Sequence, residues 1–252
     1  MIKELFTYLF SETVEGANKA SLTYEAVGIV GRHKRNRKDW QPHLDKTKQI
    51  IIDAIADAPD NKPILLIGAG PCLDVPLREL DKHFGGTVLA DAVYLPSTMR
   101  ALKKLNHTKF ELFDATGYLK TFAQHTDGEL PDPPTMAPIP KGDYGLIISC
   151  NLWSQVALPF TSVSYYDDEE LTLWEKFTQA HIDALKAIDC PVLVISDFER
   201  IENTGNRTKV YHSVPAYMLP ENLIEKWVWN ICPYGELSKD RMISLRVGAW
   251  WV

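Results

Sequence analysis

Short apolar segments alternate with segments of helical periodicity from residue 62 to the end of the chain. Apolar segments rich in β-branched residues predict strands, and apolar residues spaced three and four apart predict helices. The predicted strands are Ile64–Gly68, Thr87–Asp91, Lys109–Phe113, Tyr144–Ser149 and Pro191–Ser196. The alternation is typical of a parallel sheet covered by helices on both faces, and the apolar composition of these strands predicts that each is buried.

Helices are predicted between these strands and before the first of them. They are Leu44–Ala58, Asp74–Lys82, Pro96–Leu105, Tyr118–Gln124, Leu152–Leu158 and Glu169–Ile188. The last is the strongest, since one apolar stripe runs along it, formed by Leu173, Phe177, Ala180, Ala184 and Leu185. Residues 126–142 are rich in proline and predict an exposed loop or flap.

The end of the chain has a different pattern. Glu225–Cys232 and Met242–Val252 are strand-like segments with a turn and no helix between them, which predicts an antiparallel hairpin at one edge of the sheet. The expected architecture is therefore α/β and doubly wound, with a mostly parallel seven-stranded sheet. Two parts are expected: an N-terminal helical cap or lid over residues 1–43 and a doubly wound α/β domain over residues 44–252.

Composition narrows the class of protein. The 252 residues are 45% hydrophobic and 24% charged, which is ordinary for a folded domain, and no apolar stretch approaches the length of a membrane span. The first residues do not resemble a secretory signal, and the four cysteines form no CxxC pair, so a reducing, cytoplasmic setting is expected. The histidines show no metal-binding spacing, so no metal is expected. A net charge of −6 disfavours a surface that coats nucleic acid.

A glycine-rich turn follows the first strand. Gly68-Ala69-Gly70 lies at the carboxyl end of that strand, and glycine lets a backbone turn sharply and approach a ligand closely. Asp91 ends the second strand and Asp114 follows the third. These residues should meet at the carboxyl edge of the sheet, where open α/β sheets bind ligands and where an acid can accept hydrogen bonds from a ribose diol. A Gly-x-Gly by itself is weak evidence, because a tight strand-to-helix turn uses the same residues.

With these motifs, residues 44–252 resemble the class I S-adenosylmethionine-dependent methyltransferases. The matching segments are Ile64–Gly70 with Asp74, the acid Asp91, the turn Phe113-Asp114-Ala115, and the fourth strand Asp143–Ser149. The resemblance implies a seventh, antiparallel strand next to the sixth, and S-adenosyl-L-methionine as cofactor. The binding residues that it implies are Gly68, Ala69, Gly70, Asp74, Asp91, Ala92, Asp114, Ala115 and Asn151.

Two departures bear on the alternatives. Leu73 stands where a dinucleotide fingerprint has its third glycine, and no tyrosine has a lysine four residues later, as a short-chain dehydrogenase would need. An NAD-dependent dehydrogenase is therefore the weaker interpretation. A methyltransferase-like protein that binds the cofactor without turnover is a further alternative, because no catalytic group stands out.

Residues after the fourth and fifth strands are candidates to meet the acceptor. Asn151 and Asp197 are the catalytic candidates, with Gln155 as a further polar contact. Trp153 and Cys150 are expected to be packing residues, since no basic neighbour activates the thiol. The Asp/Asn-Pro-Pro-Tyr sequence of base-amine methyltransferases is absent and the net charge is negative, so a small-molecule acceptor is favoured over RNA. Direct in-line transfer of the methyl group is expected, because proximity supplies much of the acceleration without a covalent catalyst.

Three other groups of charged or aromatic residues have open roles. Glu199 and Arg200 follow Asp197, and Tyr211 and His212 are candidates to cover the site. The basic segment 32–38 has three possible roles. It is a solvated face, or it is a contact for RNA or another anion. In the third interpretation it forms a lid over the cofactor together with Tyr24, Trp40 and His43.

Overall fold

A computed structural model describes residues 2–126, 130–161 and 168–252. Its helices are α1 (Ile2–Leu9), α2 (Leu22–Arg35), α3 (Arg37–Ala56), α4 (Leu77–Leu80), α5 (Pro96–Leu102), α6 (Leu119–Gln124) and α7 (Asp168–Lys186). Its strands are β1 (Glu12–Thr13), β2 (Ile64–Ile67), β3 (Thr87–Asp91), β4 (Val93–Tyr94), β5 (Thr108–Leu112), β6 (Leu146–Cys150), β7 (Val192–Thr204), β8 (Arg207–His212), β9 (Leu223–Cys232) and β10 (Arg241–Trp251).

The main sheet has the order β5-β3-β2-β6-β7-β10-β9, with β8 paired to β7. The first five strands of this order are parallel, and β10 is antiparallel to both β7 and β9. The doubly wound sheet, its C-terminal hairpin and the antiparallel last strand next to the sixth are therefore confirmed. This is a Rossmann-like, doubly wound fold. Over the described residues the sheet has eight strands rather than seven, because β7 continues to Thr204, turns at Gly205 and returns as β8.

The core lies on both faces of the central strands, and β2 and β6 are buried along their whole length. In β2, Ile64 and Leu66 belong to the cluster on the α3 face, whereas Leu65 and Ile67 belong to the cluster on the α7 face. All four side chains are completely buried. Each contributes roughly 1.5–3 kcal/mol relative to an exposed position, so the strand that carries the glycine turn is firmly held.

The N-terminal helices are fixed to the C-terminal hairpin. The predicted boundary after residue 43 lies within α3, which packs along β9. The indole Nε1 of Trp40 donates to the carbonyl of Ile231 at 3.1 Å. At the junction of α2 and α3, Arg35 and Asn36 both donate to Glu236, whose side chain is only 7% exposed. These contacts join residues about 200 positions apart in the chain.

Two predicted helices are wrong. Only Leu77–Leu80 of the segment 74–82 is helical, because Pro76 disfavours helical backbone at Val75. Leu152–Leu158 forms successive turns instead of a helix. Asn151 before it has a left-handed backbone (φ +49°), and Trp153 is drawn into the core, where its Nε1 donates to the carbonyl of Thr178 at 2.9 Å.

Two expectations of burial are corrected as well. The third predicted strand, β5, is not buried: it lies at the sheet edge, with Phe110 and Leu112 each 37% exposed. Conversely, the proline-rich loop is irregular as predicted but not wholly exposed. Its residue Ala137 is buried and donates its N–H to the carbonyl of Ala180 on α7 at 3.0 Å. Residues 127–129 of this loop lie outside the described part of the chain.

The Glu236 contacts predict a pH-dependent stability. Hydrogen bonding from Arg35 lowers the pKa of Glu236 below 4.5, so its stabilisation is present above that pH and is lost as pH falls through the lowered value. Glu236→Gln should lower the free energy of unfolding at pH 7 by about 1 kcal/mol. Urea unfolding of the variant and of wild type should show a smaller difference in the free energy of unfolding at pH 4 than at pH 7.

The matched control is Glu15→Gln, whose ion pair with Lys120 has both side chains more than half exposed. It should change the free energy of unfolding by less than about 0.5 kcal/mol. Two results would contradict a stabilising role of the charged Glu236 side chain. One is an equal loss of unfolding free energy in both variants, and the other is a loss in Glu236→Gln that does not change with pH.

Candidate functional site

Two adjoining cavities, of about 240 and 150 Å³, lie at the carboxyl edge of the parallel strands. Gly68, Gly70, Asp91, Leu152 and Gln155 line both of them. The larger cavity is also lined by Ala69, Asp74, Asn151 and Asp197, and the smaller by Ala92, Asp114 and Ala115. Every candidate cofactor-binding or catalytic residue from the sequence thus lies on one continuous groove.

The glycine turn shapes the centre of this groove. Gly68 has φ +84°, and a Cβ at this position would lie 2.5 Å from the carbonyl oxygen of Cys150. The turn therefore fits against the end of β6 only without a side chain. Gly70 has φ +49°, and a Cβ there would meet no atom within 4 Å, so the space beside it is open. A ligand can approach the backbone at this point.

The expected helix end at the glycine turn is not present. After Gly70, Cys72 also has a left-handed backbone (φ +56°), and α4 begins only at Leu77 and has four residues. No helix dipole or row of free helical N–H groups therefore points at the groove from this turn. The polar groups that face it here are the carboxylates of Asp74 and Asp91.

The smaller cavity is framed by Asp91 and Asp114. Asp91 accepts the N–H of Gly70 at 2.7 Å with one oxygen and the N–H of Val93 at 3.0 Å with the other. Burial raises the pKa of Asp91, and these N–H groups oppose the rise. A carboxylate has about four lone-pair sites, so two oxygens that each accept one bond still have capacity for ligand hydroxyls. Asp114 instead receives N–H bonds from Thr116 and Leu119, which anchor the turn before α6.

The larger cavity holds two further carboxylates. Asp74 accepts a 2.5 Å hydrogen bond from the side-chain amide of Asn151, and Asp197 accepts bonds from Ser154 and Gln155. Burial raises the pKa of both acids, and these hydrogen bonds oppose the rise. Neither Lys nor Arg occurs among the described residues that line either cavity. The groove is therefore acidic, and no basic side chain in the described part of the chain lines it to balance that charge.

Aromatic residues from α3 and β9 complete the wall of the larger cavity. Trp40 and His43 were expected only as lid neighbours, and Trp229 was not expected at all. The His43 and Trp229 rings stack with centroids 4.0 Å apart and planes 3° apart. The one signal in the sequence was the spacing of Trp227 and Trp229, which places both indoles on the same face of a strand. Tyr24, the third expected lid residue, is 69% exposed and lines neither cavity.

Other candidates lie away from the groove. Glu199 pairs with Arg246, and Arg200 pairs with Glu202, because β7 continues past Asp197 as a strand. His212 lies on β8 rather than in a loop and is mostly exposed, as are most residues of this strand, and neither it nor Tyr211 lines the groove.

Cys150 is buried, which raises the pKa of its thiol, so the expectation that it is not a nucleophile agrees with its surroundings.

In the basic segment, Arg32 and Arg35 face Glu236, while Arg37 and Lys38 are exposed. Within the described ranges, no helix combines the length and apolar character needed to cross a membrane.

Several solved structures resemble this one. They include the N-methyltransferase NodS of Bradyrhizobium japonicum WM9 (12% identity, 81% of this chain and 85% of that chain covered, TM-score 0.36). Another is the 1,6-didemethyltoxoflavin-N1-methyltransferase of Burkholderia thailandensis (12% identity, 89% and 86% covered, TM-score 0.40). A third is a SAM-dependent methyltransferase of Leishmania major (15% identity, 87% and 76% covered, TM-score 0.39).

No protein-family model matches the sequence, and no curated protein matches it significantly. Likeness at these identities and TM-scores is distant.

The fit of Gly68 against β6 predicts a large cost for any side chain there. Gly68→Ala should lower the free energy of unfolding by about 3 kcal/mol, because it combines a left-handed backbone with a backbone clash. Gly205→Ala is the control, since φ is +54° there but a Cβ would meet nothing within 4 Å. It should cost about 1 kcal/mol. Urea unfolding measures the free energy of unfolding of both variants. Equal losses would show that the structure at Gly68 relaxes to remove the clash at little cost in stability.

Proposed function

We propose that this protein is an S-adenosylmethionine-dependent methyltransferase that acts on a small-molecule acceptor. The observation that carries the proposal is the groove itself. In this groove the open glycine turn lies between Asp91, which ends the second core strand, and Asp74, which follows the turn. The groove is at the position where the strand order of the sheet reverses.

The residues on the groove fit the cofactor in three parts. Asp91 would hold the ribose hydroxyls, and the apolar surface of Phe113 and Ala115 in the smaller cavity suits an adenine ring. Asp74, oriented by Asn151, would receive the ammonium group of the methionine portion. The open space beside Gly70 allows the ligand to cross from one cavity to the other. When bound there, the cofactor supplies an electrophilic methyl group on a sulfonium.

Electrostatics favour a sulfonium over a dinucleotide. A pyrophosphate needs N–H groups at a helix end or basic side chains, and the glycine turn is followed by no helix before Leu77. It would also face Asp74, Asp91 and Asp197 in a groove lined by no described Lys or Arg. A cationic ligand is attracted by the same acids and by the aromatic rings of Trp40 and Trp229. The dehydrogenase alternative is therefore disfavoured.

The larger cavity supports a small acceptor. Its walls come from the glycine turn, α3, β9 and the end of the core part of β7, and about 240 Å³ suits part of the cofactor and a compact molecule. Holding a nucleophile in line with the methyl group supplies much of the rate enhancement. Asp197 faces this cavity and can accept a proton from an acceptor N–H or O–H, a role in which its raised pKa helps.

Calorimetric titration with S-adenosylhomocysteine, S-adenosylmethionine and NAD in parallel tests the proposal. We expect micromolar binding of the first two and none of NAD. Binding of NAD alone would overturn it. Binding of both sulfur ligands without any methylated product across a broad acceptor screen would instead identify a protein that holds the cofactor without turnover.

The ribose assignment predicts the effect of one substitution. Asp91→Asn should weaken binding of S-adenosylhomocysteine about tenfold, because a charged hydrogen-bond acceptor is lost from the groove. Asp81→Asn is the matched control: Asp81 also accepts two backbone N–H groups, from Asn106 and His107, but it lies outside both cavities. Titration calorimetry should find the control within twofold of wild type. Unchanged affinity in Asp91→Asn would refute the assignment.

A further inference from the structure

One side of α1 and the residue after it expose a group of large apolar side chains. The members are Leu5, Phe6, Leu9 and Phe10, each 56–65% exposed. The N–H of Phe10 donates to the carbonyl of Phe6 at 3.1 Å, which continues the helical turn past Leu9, and spacings of one and four residues place all four on one side of a helix. The Phe6 and Phe10 rings stack with planes 5° apart. Single exposed apolar residues are common, but a contiguous group marks a surface for interaction.

Basic residues lie beside this apolar group. A surface cavity of about 470 Å³ is lined by Phe6 and Phe10 together with Arg100 and Lys103. Both basic side chains are exposed, and neither pairs with a carboxylate within the described part of the chain. The segment 96–105, which contains α5, has three basic residues and no acidic one. The surface next to the exposed rings is therefore positively charged.

The short sheet after α1 fixes this arrangement. β1 pairs antiparallel with β4, so that Glu12 lies opposite Tyr94 and Thr13 opposite Val93. Glu12 is the one acid among the described residues that line the surface cavity, so the two basic residues exceed the acids there. Val93 also lines the smaller cavity of the groove. The apolar and basic side chains are thus presented together on a surface that adjoins the groove.

We propose that this surface binds an anionic lipid layer. We call it the α1–α5 patch, and it consists of Leu5, Phe6, Leu9, Phe10, Arg100 and Lys103. Phenylalanine and leucine side chains enter the boundary between headgroups and acyl chains, while arginine and lysine bind lipid phosphates. Contact of this kind holds a protein at the surface of a membrane and needs no membrane-spanning helix.

Charge and side-chain type favour a lipid layer over other occupants. In a two-fold dimer formed through the α1–α5 patch, Arg100 and Lys103 of the two copies would lie near one another, and like charges repel. RNA bases stack on phenyl rings, but Leu5 and Leu9 would gain nothing from them. A lipid layer accommodates the rings, the leucines and the charges alike. The whole protein has a net charge of −6, so attraction to anionic lipid has to come from a local basic group such as this one.

Co-sedimentation with lipid vesicles tests the proposal. One set of vesicles is phosphatidylcholine alone, and the other is equal parts phosphatidylcholine and phosphatidylglycerol. We expect the full chain to bind the anionic vesicles about twentyfold more tightly, because two basic side chains each gain free energy near a negative surface. Added salt should weaken this binding. No binding to the anionic vesicles, or equal binding to both sets, would overturn the proposal.

Two double variants separate the apolar and the basic contributions. Phe6→Ser with Phe10→Ser should weaken binding to anionic vesicles by roughly tenfold or more, because two rings no longer enter the lipid. Arg100→Gln with Lys103→Gln should bring binding to anionic vesicles within about threefold of binding to phosphatidylcholine. Thermal unfolding confirms that both variants are folded. A folded variant that keeps wild-type binding would remove its residues from the patch and overturn the proposal.

The matched control is Lys209→Gln with Val210→Ser. These are also one basic and one apolar exposed residue, and they lie on β8, in the half of the sheet away from β5. The control should bind anionic vesicles within about twofold of wild type, because surface residues outside the patch make no lipid contact. An equal loss in the control and in the patch variants would show unspecific attraction and contradict the proposal.

The vesicle assay is independent of the proposed function. It contains no cofactor, and the four substituted patch residues line neither cavity of the groove. Both patch variants should therefore bind S-adenosylhomocysteine within about twofold of wild type, since no contact with the groove is changed. Failure of the methyltransferase proposal would leave the lipid result as it stands, and failure of vesicle binding would leave the cofactor result as it stands.

Two further measurements identify a different occupant. A dimer in analytical ultracentrifugation that Phe6→Ser with Phe10→Ser dissociates, without vesicle binding, would assign the patch to a second copy of this chain. Binding of single-stranded oligouridine that Arg100→Gln with Lys103→Gln weakens, again without vesicle binding, would assign it to RNA. Either result would overturn the lipid proposal.

Discussion

The contact between the glycine turn after β2 and the end of β6 determines the arrangement of the whole groove. The Gly68 backbone lies so close to the Cys150 carbonyl that even a methyl group would overlap it. This approach places Asn151, the residue after β6, where its amide reaches Asp74 on the other side of the turn. It also leaves Gly70 beside Asp91, which accepts its N–H. One steric requirement thus brings residues from three strand ends into a single site.

Carboxylates in this site are stabilised by neutral donors instead of ion pairs. Burial of Asp91 is offset by two backbone N–H groups, and burial of Asp197 by a hydroxyl and an amide. Such donors keep a buried acid in place without cancelling its negative charge. A groove of this kind attracts cationic ligands and repels phosphates, which is why the electrostatics and the glycine turn support the same class of cofactor.

Helix α3 connects the stability of the fold with the chemistry of the groove. Its apolar residues Ile50, Ile51 and Ala54 belong to the core beneath the sheet, while Trp40 and His43 near its start form part of the cavity wall. The helix packs along β9, so the position of the wall depends on the C-terminal hairpin. The start of α3 consequently packs with the C-terminal hairpin.

Local pattern was sufficient for the central strands, the glycine turn and the acids Asp91 and Asp114 at the ends of β3 and β5, because strand ends and turns depend on neighbouring residues. It failed for Leu152–Leu158, where a helical pattern gives way to turns once Trp153 is buried and hydrogen-bonded to α7. It also failed for β5, since an edge position is a property of the sheet and not of the strand. The contact of His43 with Trp227 spans 184 residues, and only tertiary packing brings such residues together. The sequence by itself therefore determined the class of fold and the acidic half of the groove, whereas the tertiary structure decided its aromatic half, because stacking and burial arise only when distant segments share one core.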